Sequence, residues 1–326
     1  MKEIQFLQQN ADKWGRFESL IKARKKSSPD QIAELYIELT DDLSYAKTFY
    51  PGSTITTYLN GLTAKFHQAI FRSRKEERKR LRTFWSQEQP RLFRAHRKEL
   101  LVSMCVFAVS VLVGVVSSAN DDGFVRLILG DTYVKMTMEN IEKGDPMAVY
   151  KSMNNMNMFL GVTANNIMVA LTAFACGVLF SFGAGYVIFS NGVMLGAFHY
   201  FFYQKGLLAT SLLSIWIHGT LEITAVIVAG GAGIVIGNGI LFPGTYSRLA
   251  SFQRGARDGL KILIGVIPVF VVAALLEGFV TRYTSMPRPL SLGIIGASLI
   301  FVIFYYIVYP LTLNIKELAH EPDRKN

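Results

Sequence analysis

The chain has only two cysteines among 326 residues, which argues against a disulfide-stapled fold or a cysteine metal site. Cys105 and Cys176 fall inside apolar stretches, where we expect them to pack as small apolar side chains. The sequence also lacks a GxSxG nucleophile motif, paired intramembrane carboxylates and a phosphate-cradling glycine loop. We therefore predict no enzyme activity, no cofactor and no resident metal.

A cleavable signal is not expected either, because residues 1–20 lack a short apolar core after a basic start. Hydrophobicity is sharply divided along the chain. Residues 1–98 are charged and amphipathic, and long uncharged runs follow them. With 51% hydrophobic and 18% charged residues overall, the composition fits a multi-pass membrane protein that carries a soluble part.

Positive charge is concentrated just before the first long apolar run. Between Arg72 and Lys98 the sequence has eleven basic and three acidic side chains, a net charge of +8. Nucleic-acid binding is the less favoured interpretation, because such clusters typically anchor the cytoplasmic side of a membrane protein to anionic lipid. We expect headgroup contacts from a set of four side chains: Arg91, Arg94, Arg97 and Lys98.

Residues 1–98 are predicted to form a cytoplasmic helical domain. Apolar residues recur at three- and four-residue steps in a first helix. Pro29, after the capping residue Ser28, suits the first position of a second helix. Tyr50-Pro51-Gly52 ends that helix, and a third begins near Ser53.

Residues 99–314 are predicted to form the transmembrane domain, since about 20 apolar residues cross a bilayer. The six predicted spans are about 100–118, 159–180, 183–202, 219–239, 260–279 and 290–313. With the basic stretch inside, segment 119–157 becomes an extracytoplasmic amphipathic segment and 315–326 a cytoplasmic tail. Both termini are then cytoplasmic, in the inner cell membrane.

The apolar run from about Leu207 to Leu241 contains two ionisable side chains, His218 and Glu222. As one helix it would be about 52 Å long, against a bilayer core of about 30 Å. We therefore predict a break at Ile217-His218-Gly219, with a re-entrant or interfacial helix at about 207–216.

The His218–Glu222 pair has two interpretations that the sequence leaves open. It could be functional, as a proton relay, half a metal site or a substrate-polarising pair, or it could be a structural hydrogen-bonded pair. The HxxxE spacing lacks the second histidine and third ligand of a zinc-binding helix. Glu277 is predicted to be interfacial.

Two further groups of residues belong to the predicted intramembrane region. Asn165, Asn166 and Asn191 either form interhelical hydrogen bonds or line one cavity with His218 and Glu222. Small residues let helices approach closely, which predicts helix packing at five glycines: Gly219, Gly230, Gly231, Gly233 and Gly237.

The motif His218-Gly219-Thr220-Leu221-Glu222, followed by the small residues 229–233, resembles the HGxxE element of the stage II sporulation protein M family. The likeness covers about residues 80–314, although Ile217 stands where the family usually has proline. The resemblance implies a bacterial or archaeal integral membrane protein. Its founding member is a non-enzymatic scaffold that holds peptidoglycan-degrading partners at the membrane.

The fold prediction is therefore all-α: a polytopic helical membrane protein of about six transmembrane helices, one of them broken, with an N-terminal helical domain. The functional prediction is a membrane scaffold or complex subunit. Its expected partners are membrane lipid, proteins on the cytoplasmic or outer face, or further copies of the chain, and not nucleic acid. The alternative is a transporter or channel for a small molecule, ion or lipid, with its polar site at His218 and Glu222.

Overall fold

The computed structural model describes residues 3–23, 29–71, 81–121, 123–151, 154–284 and 286–313. Their regular secondary structure is helical throughout, which confirms the all-α prediction. The chain divides into two compact units, Met1–Arg80 and Leu81–Asn326. This division precedes the predicted boundary at residue 98. The basic run 72–80 and the predicted tail 315–326 lie outside the described residues.

The described part of the first unit consists of α1 (Glu3–Ala23), α2 (Pro29–Phe49) and α3 (Thr54–Phe71). These helices bury one core, formed by Phe6, Trp14, Phe17, Leu39, Leu43, Ala46, Ile55, Leu59 and Leu62. The Trp14 indole donates to Asp42 Oδ2 at 2.8 Å, which ties α1 to α2. The chain reverses after α2 at Gly52, whose φ of +83° suits glycine. This unit therefore has its own apolar core.

The second unit holds the membrane helices and their connections. Its helices are α4 (Gln89–Ala95), α5 (Arg97–Asn120), α6 (Phe124–Leu129), α7 (Asp131–Glu142), α8 (Asn155–Cys176), α9 (Phe182–Gln204), α10 (Leu208–Leu241), α11 (Arg248–Leu275), α12 (Arg288–Val302) and α13 (Tyr309–Thr312). A π-helical turn, Leu276–Thr281, continues α11, and another, Ile303–Val308, joins α12 to α13.

Within the described ranges, five helices are long and apolar enough to cross a membrane. They are α5, α8, α10, α11 with its π turn, and the α12–α13 helix. The remaining predicted span, 183–202, falls in α9, which has 23 residues but is not among the five. The mean hydropathy of α9 is lowered by Asn191, His199 and several glycines and tyrosines. The membrane character of the unit is confirmed, and the count of six is not.

Helix α10 is continuous over 34 residues, so the predicted break at Ile217-His218-Gly219 is wrong. A single glycine costs a helix only about 1 kcal/mol relative to alanine. His218 finds a hydrogen-bond partner on a neighbouring helix, so the backbone does not need to unwind. At 1.5 Å per residue the helix is about 51 Å long, which a bilayer accommodates when the helix tilts or extends beyond the apolar core.

Close helix packing occurs at glycines in the second half of α10. These glycines are Gly230, Gly231, Gly233 and Gly237. A Cβ atom at Gly233 would collide with the Ala173 carbonyl of α8, and one at Gly237 with the backbone nitrogen of Ser181. Gly219 differs from this group. Its Cβ position has no neighbour nearer than 3.4 Å, on Ile215 of the same helix.

Residues 84–95, comprising the π turn Phe84–Glu88 and α4, pack against α11 and the chain's last described turn. The Trp85 indole donates to Gly265 O at 3.3 Å, and the buried Gln89 amide donates to Lys261 O. Arg94 donates to the carbonyls of Pro310 and Leu313. Arg94 therefore ties α4 to the end of the last described helix.

The other predicted headgroup contacts are placed differently. Arg97 and Lys98 are exposed at the start of α5, where no hydrogen bond to either is seen in the described chain. Arg91 is partly buried on α4 and has a partner within the protein. Headgroup contact by these four side chains stays a prediction, and Arg97 and Lys98 are the more exposed of them.

Segment 123–151 folds onto one end of the membrane bundle. Val125 of α6, Val134 of α7 and Met147 pack with Phe201 and Phe202 of α9. The following turn, Ala148–Lys151, contacts the π turn that continues α11. The turn carries Tyr150, which contacts His218.

Candidate functional site

Three ionisable side chains from two helices meet inside the membrane unit. His218 and Glu222 lie one turn apart on α10, and Glu277 lies on the π turn that ends α11. One ligand atom from each lies within 4.8 Å of the others. His218 Nε2 and Glu277 Oε2 are 3.9 Å apart, which exceeds hydrogen-bonding distance. The His218–Glu222 pair predicted from the sequence is thus one part of a triad.

Thr281 orients the His218 ring. His218 Nδ1 is 2.9 Å from Thr281 Oγ1, and this hydroxyl donates its one proton to Leu276 O at 3.2 Å. With the hydroxyl proton on Leu276 O, we infer that the Thr281 oxygen accepts from His218 and that the imidazole proton is on Nδ1. Nε2 then carries a lone pair on the side of the two carboxylates. Two acids and a lone pair facing one another are favourable only if a proton or a cation lies between them.

Tyr150 covers the other face of the imidazole. The two rings meet edge to face, with centroids 5.7 Å apart and planes at 67°. Burial raises the pKa of the Tyr150 phenol well above its ordinary value, and the nearby Glu277 adds to the rise. Tyr150 is therefore a neutral phenol at physiological pH.

The triad opens into a cavity of about 600 Å³ between α8, α9, α10 and the segment 123–151. Its polar lining consists of Tyr133, Tyr150, Asn157, Asn165, Asn166, His218, Glu222 and Glu277. The rest of the lining is apolar and includes Met158, Met194 and Phe198. In the described part of the chain, this lining contains two carboxylates and no lysine or arginine. The cavity is suited to a positively charged occupant.

The three predicted asparagines separate into two positions. Asn165 and Asn166 line the cavity, where Asn165 Nδ2 lies 3.4 Å from Asn166 Oδ1. Asn166 is 5% exposed. Its side chain lies near enough to Glu222 for a weak interaction. Its amide nitrogen, however, has no hydrogen bond of normal geometry among the described residues. Asn191 is outside the cavity and donates to Val187 O of its own helix at 2.8 Å.

Three members of this site are not predicted from the sequence: Glu277, Thr281 and Tyr150. Glu277 was expected at the membrane interface, and no intramembrane carboxylate pair was expected. Instead its side chain is 13% exposed and shares the triad with Glu222. The available signal is an isolated acidic residue in the otherwise uncharged 262–279 run. The identities of Thr281 and Tyr150 carried no such signal.

This arrangement can hold a cation or pass protons between an imidazole and two carboxylates. It also supplies the third ligand that the HxxxE spacing lacks, so the three side chains together could hold a metal ion. No serine, threonine or cysteine in the cavity lining stands beside His218 as a nucleophile.

Comparisons with known proteins give matches in both units of the chain. Residues 4–72 match a domain of unknown function, DUF8413. An uncharacterized protein of the archaeon Methanocaldococcus jannaschii is 25% identical over 195 residues, which cover 57% of this chain and 82% of that protein. No solved structure matches the chain.

The longest family match covers most of the membrane unit and all three members of the triad. Residues 103–282 match the family described as stage II sporulation protein M. This match covers more than half of the chain and ends one residue after Thr281. It confirms the resemblance inferred from the sequence: the chain is a membrane protein that belongs to the stage II sporulation protein M family.

Proposed function

We propose that this membrane protein binds a small cation in the cavity around His218, Glu222 and Glu277 and transfers it across the membrane. One observation carries the proposal, namely a cavity of about 600 Å³ inside a helical bundle with two carboxylates and no basic lysine or arginine in its described lining. Ionisable groups at membrane depth are costly, and they commonly mark ion or substrate paths. A bound cation would offset that cost.

The direction of access follows from the charge distribution. The basic residues before α5 favour a cytoplasmic N-terminus. If α9 crosses the membrane as a sixth span, both termini are cytoplasmic and segment 123–151 lies outside. The cavity, which Tyr133 and Tyr150 of that segment help to line, would then face the outer leaflet of the inner membrane.

Cation flux into proteoliposomes tests the proposal. The probes are protons, followed with an internal pH dye, K⁺, followed with an internal K⁺ dye, and Mn²⁺, followed by quenching of internal calcein. We expect the wild type to conduct at least one of them and the double variant Glu222→Gln/Glu277→Gln to lose that flux. The matched control is Glu99→Gln, since Glu99 on α5 accepts from Asn238 at 3.2 Å and does not line the cavity. Flux equal to empty liposomes for every probe would refute transport of these cations.

A second candidate function is a scaffold or complex subunit, as the family resemblance implies. The observation that favours it is the first unit, which has its own core yet leaves Ile4, Ile37 and Phe49 at least 60% exposed. Large exposed apolar side chains are typical of protein contact surfaces.

Crosslinking and co-purification from native membranes test this candidate. A specific partner recovered with the wild type and with His218→Ala/Glu222→Ala, but not with Ile37→Ser, would assign partner binding to the first unit. A wild-type protein that purifies alone would contradict the scaffold hypothesis.

A further inference from the structure

We propose that His218, Glu222 and Glu277 form a binding site for one divalent transition-metal ion of the Zn²⁺ type. The inference names the class of cation for the cavity, so it rests on the proposed cation-binding function of that site. The ligands are His218 Nε2 and one carboxylate oxygen from each glutamate. One imidazole and two carboxylates form a donor set that zinc accepts.

The triad is close to the dimensions of a metal site. Zinc bonds of about 2.0–2.2 Å set tetrahedral ligand atoms roughly 3.3 Å apart. Here His218 Nε2 and Glu277 Oε2 are 3.9 Å apart, and the whole set lies within 4.8 Å. The ligand atoms would have to approach one another, by rotation of the side chains, to reach that spacing.

The imidazole is already held as a metal ligand would be. Metal-bound histidines usually donate their second ring N–H to a neighbouring oxygen, which fixes the tautomer and the ring plane. Thr281 accepts from Nδ1 at 2.9 Å, and Tyr150 limits tilting of the ring. The free Nε2 lone pair therefore lies on the side of the carboxylates.

Charge balance selects a divalent ion. Two carboxylates and a neutral imidazole carry a charge of −2, which a divalent ion neutralises within the apolar bundle. A monovalent ion would leave one buried negative charge uncompensated. The imidazole nitrogen separates zinc-like ions from Mg²⁺ and Ca²⁺, which prefer oxygen ligands and require more of them than this triad offers.

The cavity supplies the remaining coordination position. A three-ligand site keeps a position for water or a solute, and the triad borders the open space of the cavity. Asn166 lines the same space with a buried amide nitrogen that lacks a well-formed hydrogen bond in the described chain. A metal-bound water or anion would give this nitrogen an acceptor. This buried donor beside Glu222 is consistent with the same occupant.

Equilibrium metal binding tests the inference. The full-length protein, purified in detergent with a tag free of histidine, is stripped with chelator and titrated with Zn²⁺ by calorimetry. Bound metal is then counted by elemental analysis. We expect one tightly bound equivalent in the wild type and at least 100-fold weaker binding in Glu277→Gln. Thr281→Val removes the partner of Nδ1 and no ligand, so it should weaken binding 10- to 100-fold.

Two matched controls remove chemically similar groups outside the triad. Glu99→Gln removes a carboxylate of α5, and His199→Asn removes a histidine of α9 that bonds Leu195 O and Trp216. Both should bind zinc as the wild type does. Wild-type protein that holds no zinc, or Glu277→Gln that binds it equally well, would overturn the proposal.

A spectroscopic measurement decides the question if Glu277→Gln does not fold. Co²⁺ bound by imidazole and carboxylates at low coordination number has intense visible absorption, whereas hydrated Co²⁺ absorbs weakly. An intense spectrum from wild-type protein, displaced by Zn²⁺ and not by Mg²⁺, supports the site, and a hydrated-ion spectrum refutes it. Zinc binding without cation flux would keep the metal site and refute transport. Flux without zinc binding would do the opposite.

Discussion

Replacing Thr281 with valine tests the hydrogen bond that orients His218. The substitution keeps the shape of the side chain and removes the acceptor of the imidazole N–H. Both residues are buried, with Thr281 2% and His218 4% exposed, so water does not replace the lost partner. A buried donor without an acceptor costs about 1–3 kcal/mol. We expect the free energy of unfolding to fall by that amount.

The matched control is Thr220→Val on α10. Thr220 is 5% exposed, but its hydroxyl donates at 2.7 Å to Trp216 O, a carbonyl within its own helix. Valine there leaves no side chain without a partner, so the loss should be about 0.5 kcal/mol or less, at the lower end of net hydrogen-bond contributions. The two variants differ in whether another buried group depends on the hydroxyl.

Thermal unfolding of both variants in one detergent measures this difference. For a unit of this size each kcal/mol shifts Tm by about 2–4 °C, so Thr281→Val should melt about 2–12 °C below the wild type. Thr220→Val should stay within about 2 °C of it. Equal melting temperatures for the two variants would show that Thr281 does not satisfy His218, and the inferred tautomer would be wrong.

Three further predictions concern packing, titration and the first unit. Gly233→Ala should lower Tm, because overpacking costs about 1–3 kcal/mol and exceeds a helix-propensity gain of about 1 kcal/mol. Gly296→Ala should raise Tm, because a Cβ atom at this position has no neighbour within 4 Å. Since burial raises the pKa of Tyr150 above its ordinary value of 10.0, the wild type should lose stability relative to Tyr150→Phe only as pH rises above about 10, in melting curves measured across pH. Leu39→Ala should cost about 2–5 kcal/mol and accelerate hydrogen exchange in α1–α3, while exchange in α10 stays unchanged.

The general architecture could be predicted because apolar run length and charge placement are local properties of a sequence. Arg97–Asn120 and Arg288–Thr312 coincide with predicted spans to within a few residues. The start of α2 at Pro29 also agrees with the sequence, since proline suits a first helical turn. The carbonyl partners of Arg94 could not be predicted, because they lie more than 200 residues away along the chain.

The site was only half predictable for a related reason. His218 and Glu222 were identified because both interrupt one apolar run, a pattern visible within five residues. Glu277 joins them only through the packing of α11 on α10, and sequence spacing holds no information on that contact. The predicted break at Gly219 is wrong because the cost of burying the polar pair does not require the backbone to unwind. In the structure, Thr281 and the cavity accommodate the pair instead.

The π turn at the end of α11 determines where the chain could lose a residue and still keep this site. Each residue of an α-helix advances the side chains by about 100°, and a π turn holds one residue more than the α-helical turn it replaces. Deleting one residue between Glu277 and Thr281 would therefore restore α-helical winding and leave Thr281 in nearly the same register relative to the helix before the turn. Deleting one residue from the regular helix Arg248–Leu275 would instead rotate Glu277 and Thr281 by about 100° relative to the preceding part of α11. Among homologous chains, a one-residue gap in α11 is therefore compatible with this intramembrane site only when it falls in the turn.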